Sequence, residues 1–200
     1  MKDETIKPSP TYKSELKEAR KKAAKPLLWI GIVSIVMLFA GLTSAYVVRA
    51  DNGNWLIFNL PNIFFVSTAV IITSSITLFF ALQMAKKSNN KGVVLGVLVT
   101  FILGLVFTYT QLQGWNELTS KGIVFAGKYA NASGSFLYVL TGLHLAHLFG
   151  GLISLFVTFI NSVKGKYSAE NTLGLELCSI YWHFLDILWV YLFLFLYYIR

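Results

Sequence analysis

The stretch YWHFLDILW, residues 181–189, sets His183 and Asp186 three positions apart inside an otherwise apolar run of membrane-spanning length. A bare Asp near the centre of a bilayer costs about 2.5–3.5 kcal/mol on insertion scales, so such a residue is expected to face a protein interior. The stretch therefore predicts a transmembrane helix with one polar face turned inward. At about 100° per residue, Glu176, Ser179, His183 and Asp186 fall on one arc of that helix. The rest is mostly Leu, Ile, Phe, Trp and Tyr.

The remainder of the chain has the same character. Of its 200 residues 56% are hydrophobic and 13% charged, with a mean hydropathy of +0.63, too apolar for an ordinary soluble domain. The apolar residues form five blocks of about 20 residues or more, the length that crosses a bilayer. They cover residues 27–48, 61–85, 92–114, 136–163 and 173–199, and the first three contain no Asp, Glu, Lys, Arg or His. The expected fold is an all-α membrane protein, a bundle of five transmembrane helices spanning residues 27–200. The first block is too long for the apolar core of a signal peptide and is read as a retained span.

The net charge of +8 is a topology signal. Eight of the seventeen Lys and Arg residues lie in the first 25 positions, and Lys86, Lys87, Lys91, Lys164 and Lys166 fall on the same side. Only Arg49, Lys121, Lys128 and Arg200 fall on the other. Thirteen against four places the N-terminus in the cytoplasm and, with five spans, the C-terminus outside. The basic excess suits anionic headgroups rather than nucleic acid. Residues 1–26 read as a cytoplasmic basic tail, in which Thr11 caps a short helix and Pro26 opens the first span. The outer loop 115–135, rich in Gly and aromatics, is expected to fold back over the bundle. Cys178 is the single cysteine, so no intrachain disulfide can form.

All three histidines lie within spans, His144 and His147 in the fourth and His183 in the fifth. Beside the first two run Gly142, Ala146, Gly150 and Ser154, a small residue at every fourth position, as in ridges along which membrane helices pack closely. A rise of about 1.5 Å per residue brings His147 and Asp186 to similar depth. Spans four and five are thus expected to touch, with the histidines and the Glu176/Asp186 stripe hydrogen-bonded across the contact or to water. Span two adds hydroxyls at Ser67, Thr68, Thr73, Ser74, Ser75 and Thr77, able to bond back to their own helix or across to a neighbour.

Three roles fit these residues. His144 and His147 with His183 and Asp186 could ligate a metal or haem, although bundle di-iron sites use several carboxylates in a Glu-x-x-His pattern. The same groups could form a proton path, although spans one to three offer no ionisable group. The third role, best matched to the pattern, is a structural polar contact that fixes helix packing and holds lipid, with no metal bound. No nucleophile–base pair, phosphate loop or paired carboxylates are present, so no catalytic residue is assigned.

At these residues the chain resembles subunit III of the haem–copper respiratory oxidases. TGLHLAHLFGGLI (141–153) matches the pattern Thr-Gly-x-His-x-x-His-x-x-Gly, and YWHFLDILWVYLF (181–193) matches Tyr-Trp-His-Phe-x-Asp-x-x-Trp with Glu176 upstream. VMLFAGLTSAYVVR (36–49) is similar to the third helix of seven-span members, so the resemblance implies a five-span form without the first two helices. It implies a subunit free of haem and copper, which reside in partner subunits I and II, packed directly on catalytic subunit I. It also implies support of proton uptake, durability of the oxidase and bound phospholipid, in the plasma (inner) membrane of a bacterium. His144, His147, Glu176, Trp182, His183 and Asp186 carry over as scaffold and lipid contacts. Where the family often places carboxylates, this chain has Ile35 after Ser34 and Gly114 before Trp115. Cytochrome c is the expected electron donor of the complex. A quinol oxidase subunit and a nitric-oxide-reductase accessory protein share nearly the same pattern.

Overall fold

In a computed structural model, residues 10–51, 53, 55–127, 130–168 and 171–199 are described, with the side chains of residues 10–13, 16 and 17 left out. Among the described residues five helices follow one another: α1 Pro10–Ala50, α2 Ile63–Lys86, α3 Asn90–Ser120, α4 Ala132–Val163 and α5 Leu173–Tyr198. Each is long and apolar enough to cross a membrane. The chain is an all-α, multi-pass membrane protein.

Two boundaries differ from expectation. The short helix and the first span are one continuous 41-residue helix, with Pro26 inside it. A proline in a helix interior removes one hydrogen bond and costs about 3 kcal/mol in water. Here the Lys and Ala residues before it and the Leu residues after it favour helix, and the turn around Pro26 is exposed, so the freed carbonyl can be solvated. The third span also continues past Gly114 to Ser120. Gly114 does not end the helix but lets it approach α2: a Cβ built there would stand 2.9 Å from Phe64 Cζ.

The loop after α3 does fold back. Gly122 and Gly127 adopt positive φ, 79° and 115°, which lets the chain reverse. Tyr138 of α4 donates to the Ile123 carbonyl at 2.9 Å, Ser135 to the Phe125 carbonyl at 2.7 Å, and the Ile123 side chain is buried. At the other end the α4–α5 loop tucks Tyr167 under the start of α5, and burial pushes its phenol above the ordinary tyrosine range.

The helices α2, α3 and α4 pack in sequence, α2 on α3 most extensively. The pair is joined by a three-residue turn, and α2 and α3 come close enough that a Cβ on Gly96 would lie 2.7 Å from the Ala81 Cβ. Helix α5 packs against α2 and α4 and is the most buried of the five; α1 leans on α4 and α5 and is the least buried. Among the described residues no Cα of α1 comes within 8 Å of one of α2. This arrangement makes α5 the axis on which the polar residues are organised.

Candidate functional site: a hydroxyl-fastened central helix

Helix α5 is held by its own donors. Trp182 Nε1 donates to Ser74 Oγ at 3.0 Å, and Trp189 Nε1 donates to Thr68 Oγ1 at 3.0 Å, both on α2. Tyr191 donates to Thr43 Oγ1 of α1 at 3.2 Å, and Tyr181 donates to the His147 carbonyl of α4 at 3.2 Å. Each accepting hydroxyl spends its own proton on its own helix, Ser74 on the Ile71 carbonyl, Thr68 on Phe64 and Thr43 on Phe39. One proton and one lone pair are thus used per hydroxyl, and the indole or phenol supplies the cross-link. The hydroxyls of α2 bond both back and across.

Close approach makes room for these rings. A Cβ on Gly104 of α3 would stand 2.7 Å from Trp182 Cη2, and one on Gly151 of α4 would stand 3.0 Å from Leu185 Cδ1 and 3.2 Å from Trp182. The expected ridge lies next to this seam rather than in it. Ala146 and Gly150 face outward, Gly142 and Ser154 are half-buried, and the nearest side chain to a Cβ on Gly150 is Tyr181 at 3.7 Å. Gly151, one residue after the ridge, makes the contact because the helix presents that angle to Trp182.

The imidazoles and acids are placed differently from the sequence expectation. Helices α4 and α5 do touch. Among the described residues, however, no hydrogen bond joins His144, His147 or His183 to Glu176 or Asp186. His144 is fully buried, edge-on to Phe107 at 6.0 Å and tilted on Trp189 at 5.2 Å, with no hydrogen-bond partner for either ring nitrogen. His147 Nδ1 donates to the Leu143 carbonyl of its own helix at 2.8 Å, which fixes the proton on Nδ1, and its ring meets Phe39 of α1.

His183 and Asp186 turn towards α2. His183 Nδ1 makes a short hydrogen bond with Ser75 Oγ. Asp186 is 4% exposed, neither of its carboxylate oxygens has a hydrogen-bond partner, and Ser75 is its polar neighbour. Glu176 lies on the same arc but nearly three turns before Asp186. There it accepts from Thr172 at 2.6 Å and meets Lys25 of α1 at 2.6 Å, an ion pair whose side chains are 25% and 49% exposed. The arc predicted from periodicity exists, but it connects α5 to α2 and α1.

Sequence reasoning missed Trp189, Gln111 and the pair Thr43–Tyr191. Gln111 Nε2 donates to Ser67 Oγ at 2.9 Å and binds α3 to α2. A signal was present: Trp182 and Trp189 lie seven residues apart on α5, and Thr68 and Ser74 lie six apart on the antiparallel α2. Among the described residues, no three of His, Cys, Asp and Glu come together in a way that could hold a metal ion. What the arrangement does chemically is to pair the indoles and phenols of α5 with hydroxyls and a carbonyl of its neighbours, while the His144 ring and the Asp186 carboxylate stay unpaired.

Comparison with known proteins identifies this arrangement. The chain matches the family model described as cytochrome c oxidase subunit III over residues 6–200. It is 32% identical over 184 residues to a probable cytochrome c oxidase subunit 3 of Nocardia farcinica, covering 87% of this chain and 86% of that one. It is 30% identical over 173 residues to cytochrome c oxidase subunit 3 of Corynebacterium diphtheriae, covering 82% of each. A probable subunit 3 of Rickettsia felis is 32% identical over 142 residues, 70% of this chain and 48% of that longer protein. The five apolar helices and these bacterial relatives make the protein a multi-pass component of a bacterial plasma membrane. The chain belongs to the cytochrome c oxidase subunit III family.

Proposed function

We propose that this chain is the non-catalytic third subunit of a proton-pumping haem–copper terminal oxidase, which stabilises catalytic subunit I and supports its proton uptake. One observation carries the reading: the indole and phenol donors of α5 are spent on holding helices together, through Trp182, Trp189 and Tyr191 on hydroxyls of α2 and α1. A frame of this kind presents a rigid face to a neighbour and needs no redox centre of its own. Haem and copper then belong to the partner subunits. Cytochrome c as electron donor is supported by the names of the relatives.

Proton support acts here without two of the family's carboxylates, since Ile35 and Gly114 stand in their places. The thirteen-to-four charge asymmetry supports a cytoplasmic N-terminus. Bound phospholipid is supported by a cleft of about 580 Å³ between α1, α4 and α5, lined by Leu28, Gly150, Ser154 and Tyr181 among others. Gly150 and Ser154 of the small-residue ridge thereby gain a role in the floor for an acyl chain.

The test compares the oxidase assembled with and without this chain. The account expects both forms to carry the haem spectrum and reduce oxygen. The form without the chain should take up protons more slowly and lose activity sooner during turnover. Loss of the haem spectrum from an otherwise assembled subunit I would contradict it.

A further inference from the structure

The packing leaves one side of α5 open. Its neighbours occupy three directions: α4 meets Leu185 and Trp182, α2 meets Trp182, His183, Trp189 and Phe193, and α1 meets Tyr191 and Phe195. Between the α2 and α1 directions lies an arc of about 60° that carries Glu176, Ile180, His183, Ile187, Leu194 and Tyr198, with Glu176 taken up by Lys25 of α1. Ile187 is 69% exposed and Leu194 is exposed, while α1 and α2, whose backbones stay apart, form the walls. The result is a groove floored by the most buried helix of the bundle.

The floor of this groove is not apolar throughout. His183 and Asp186 are the eleventh and fourteenth of the 26 residues of α5, which places them near mid-membrane. His183 is half-buried, with Nδ1 on Ser75 and Nε2 used by no hydrogen bond among the described residues. Ser75, also half-buried, borders Asp186, whose two oxygens have no hydrogen-bond partner. Acyl chains cannot satisfy such groups, and a polar group left unpaired in hydrocarbon costs several kcal/mol. A helix with a hydrogen-bonding side chain can satisfy the imidazole, while Asp186, 4% exposed, lies sealed behind Ser75 and His183.

We propose that the α1–α5–α2 groove seats one transmembrane helix of a different oxidase subunit, and that this helix places a hydroxyl or carboxamide side chain opposite His183 and Ser75. The occupant is set by the chemistry of the floor. A hydroxyl or carboxamide can both donate and accept, so it meets His183 Nε2 in either tautomer and extends the Asp186–Ser75–His183 contact outward. The exposed Ile187 and Leu194 on the floor and Ile72 on the wall supply apolar area on either side. The proposal rests on the chain being an oxidase subunit and adds the face by which it docks.

The test uses the full-length tagged chain in the membranes where its complex assembles. A benzophenone amino acid is placed at position 187 on the groove floor or, as a control, at position 153 on the outward face of α4, both exposed in the isolated chain. After illumination, adducts are identified by mass spectrometry, and copurification of the haem-bearing subunit is measured on the same samples. The expected result is several-fold more protein adduct from position 187. Its peptide should come from a transmembrane segment of another subunit, with Ser, Thr, Asn or Gln within one turn of the attachment. Lipid adducts alone, an adduct with a second copy of this chain, a purely apolar partner segment, or equal yields at both positions would each overturn the proposal. If the haem-bearing subunit copurifies while position 187 reaches only lipid, the groove assignment fails and the subunit reading stands. If it does not copurify, the subunit reading itself fails.

Discussion

The Trp182 indole of α5 and the Ser74 hydroxyl of α2 meet at 3.0 Å, both fully or nearly fully buried, at the point where Gly104 and Gly151 let α3 and α4 close around the ring. Four helices converge on this side chain. The hydrogen bond orients the indole, and the two glycines create the space it fills.

Size and polarity at this junction should separate cleanly. Trp182→Ala removes a whole buried aromatic and should cost about 3–5 kcal/mol. Ser74→Ala removes only a membrane hydrogen bond and should cost about 0.6 kcal/mol, at most about 1.7. The midpoint of unfolding in sodium dodecyl sulfate checks both. A larger loss from Ser74→Ala would show that polarity, not packing, dominates.

Small residues should matter by position rather than by motif. Gly96→Ala forces a methyl to within 2.7 Å of the Ala81 Cβ and 3.2 Å of its Cα, and backbone cannot yield cheaply. The overpacking should cost about 1–3 kcal/mol. Gly150→Ala finds its nearest neighbour at 3.7 Å and should leave unfolding unchanged. The reverse order of effects would restore the ridge as the packing seam.

These contrasts show which parts of the protein could be read from sequence. The five spans were legible because a bilayer demands about 20 apolar residues in a row, and few other constraints produce that pattern. The inward arc on α5 was legible because the period of a helix fixes which residues share a face. The partner of that arc was not. Periodicity gives a direction relative to the helix axis and says nothing of which neighbour stands there, so Ser75 of α2 took the place expected for α4. The continuation of α1 through Pro26 was hidden for a related reason. A proline reads as a boundary unless its freed carbonyl is known to be exposed.

His144 is conspicuous in sequence yet makes no hydrogen bond in the bundle. With both ring nitrogens sealed among Phe107 and Trp189, His144→Leu removes buried polarity at similar volume. The change should be neutral or stabilising by up to about 1.5 kcal/mol, and the optical spectrum of the assembled oxidase should not shift. A changed haem spectrum would mark His144 as a ligand after all.

The Lys25–Glu176 pair ties the entry of α1 to the start of α5 where both side chains still meet solvent. A double-mutant cycle with Lys25→Ala and Glu176→Ala should give a coupling of about 1 kcal/mol or less, shrinking as salt is raised. Coupling above about 3 kcal/mol, of the order expected for breaking a desolvated pair, would mean that this end of the bundle is buried in the complex.

The central claim is that this chain is a frame serving redox centres held by its partners. Gentle purification of the tagged chain followed by an absorption spectrum tests that claim directly. Haem should travel with a larger many-span subunit and leave the preparation when that subunit is stripped away. Haem colour or stoichiometric metal retained by the stripped chain would contradict the account.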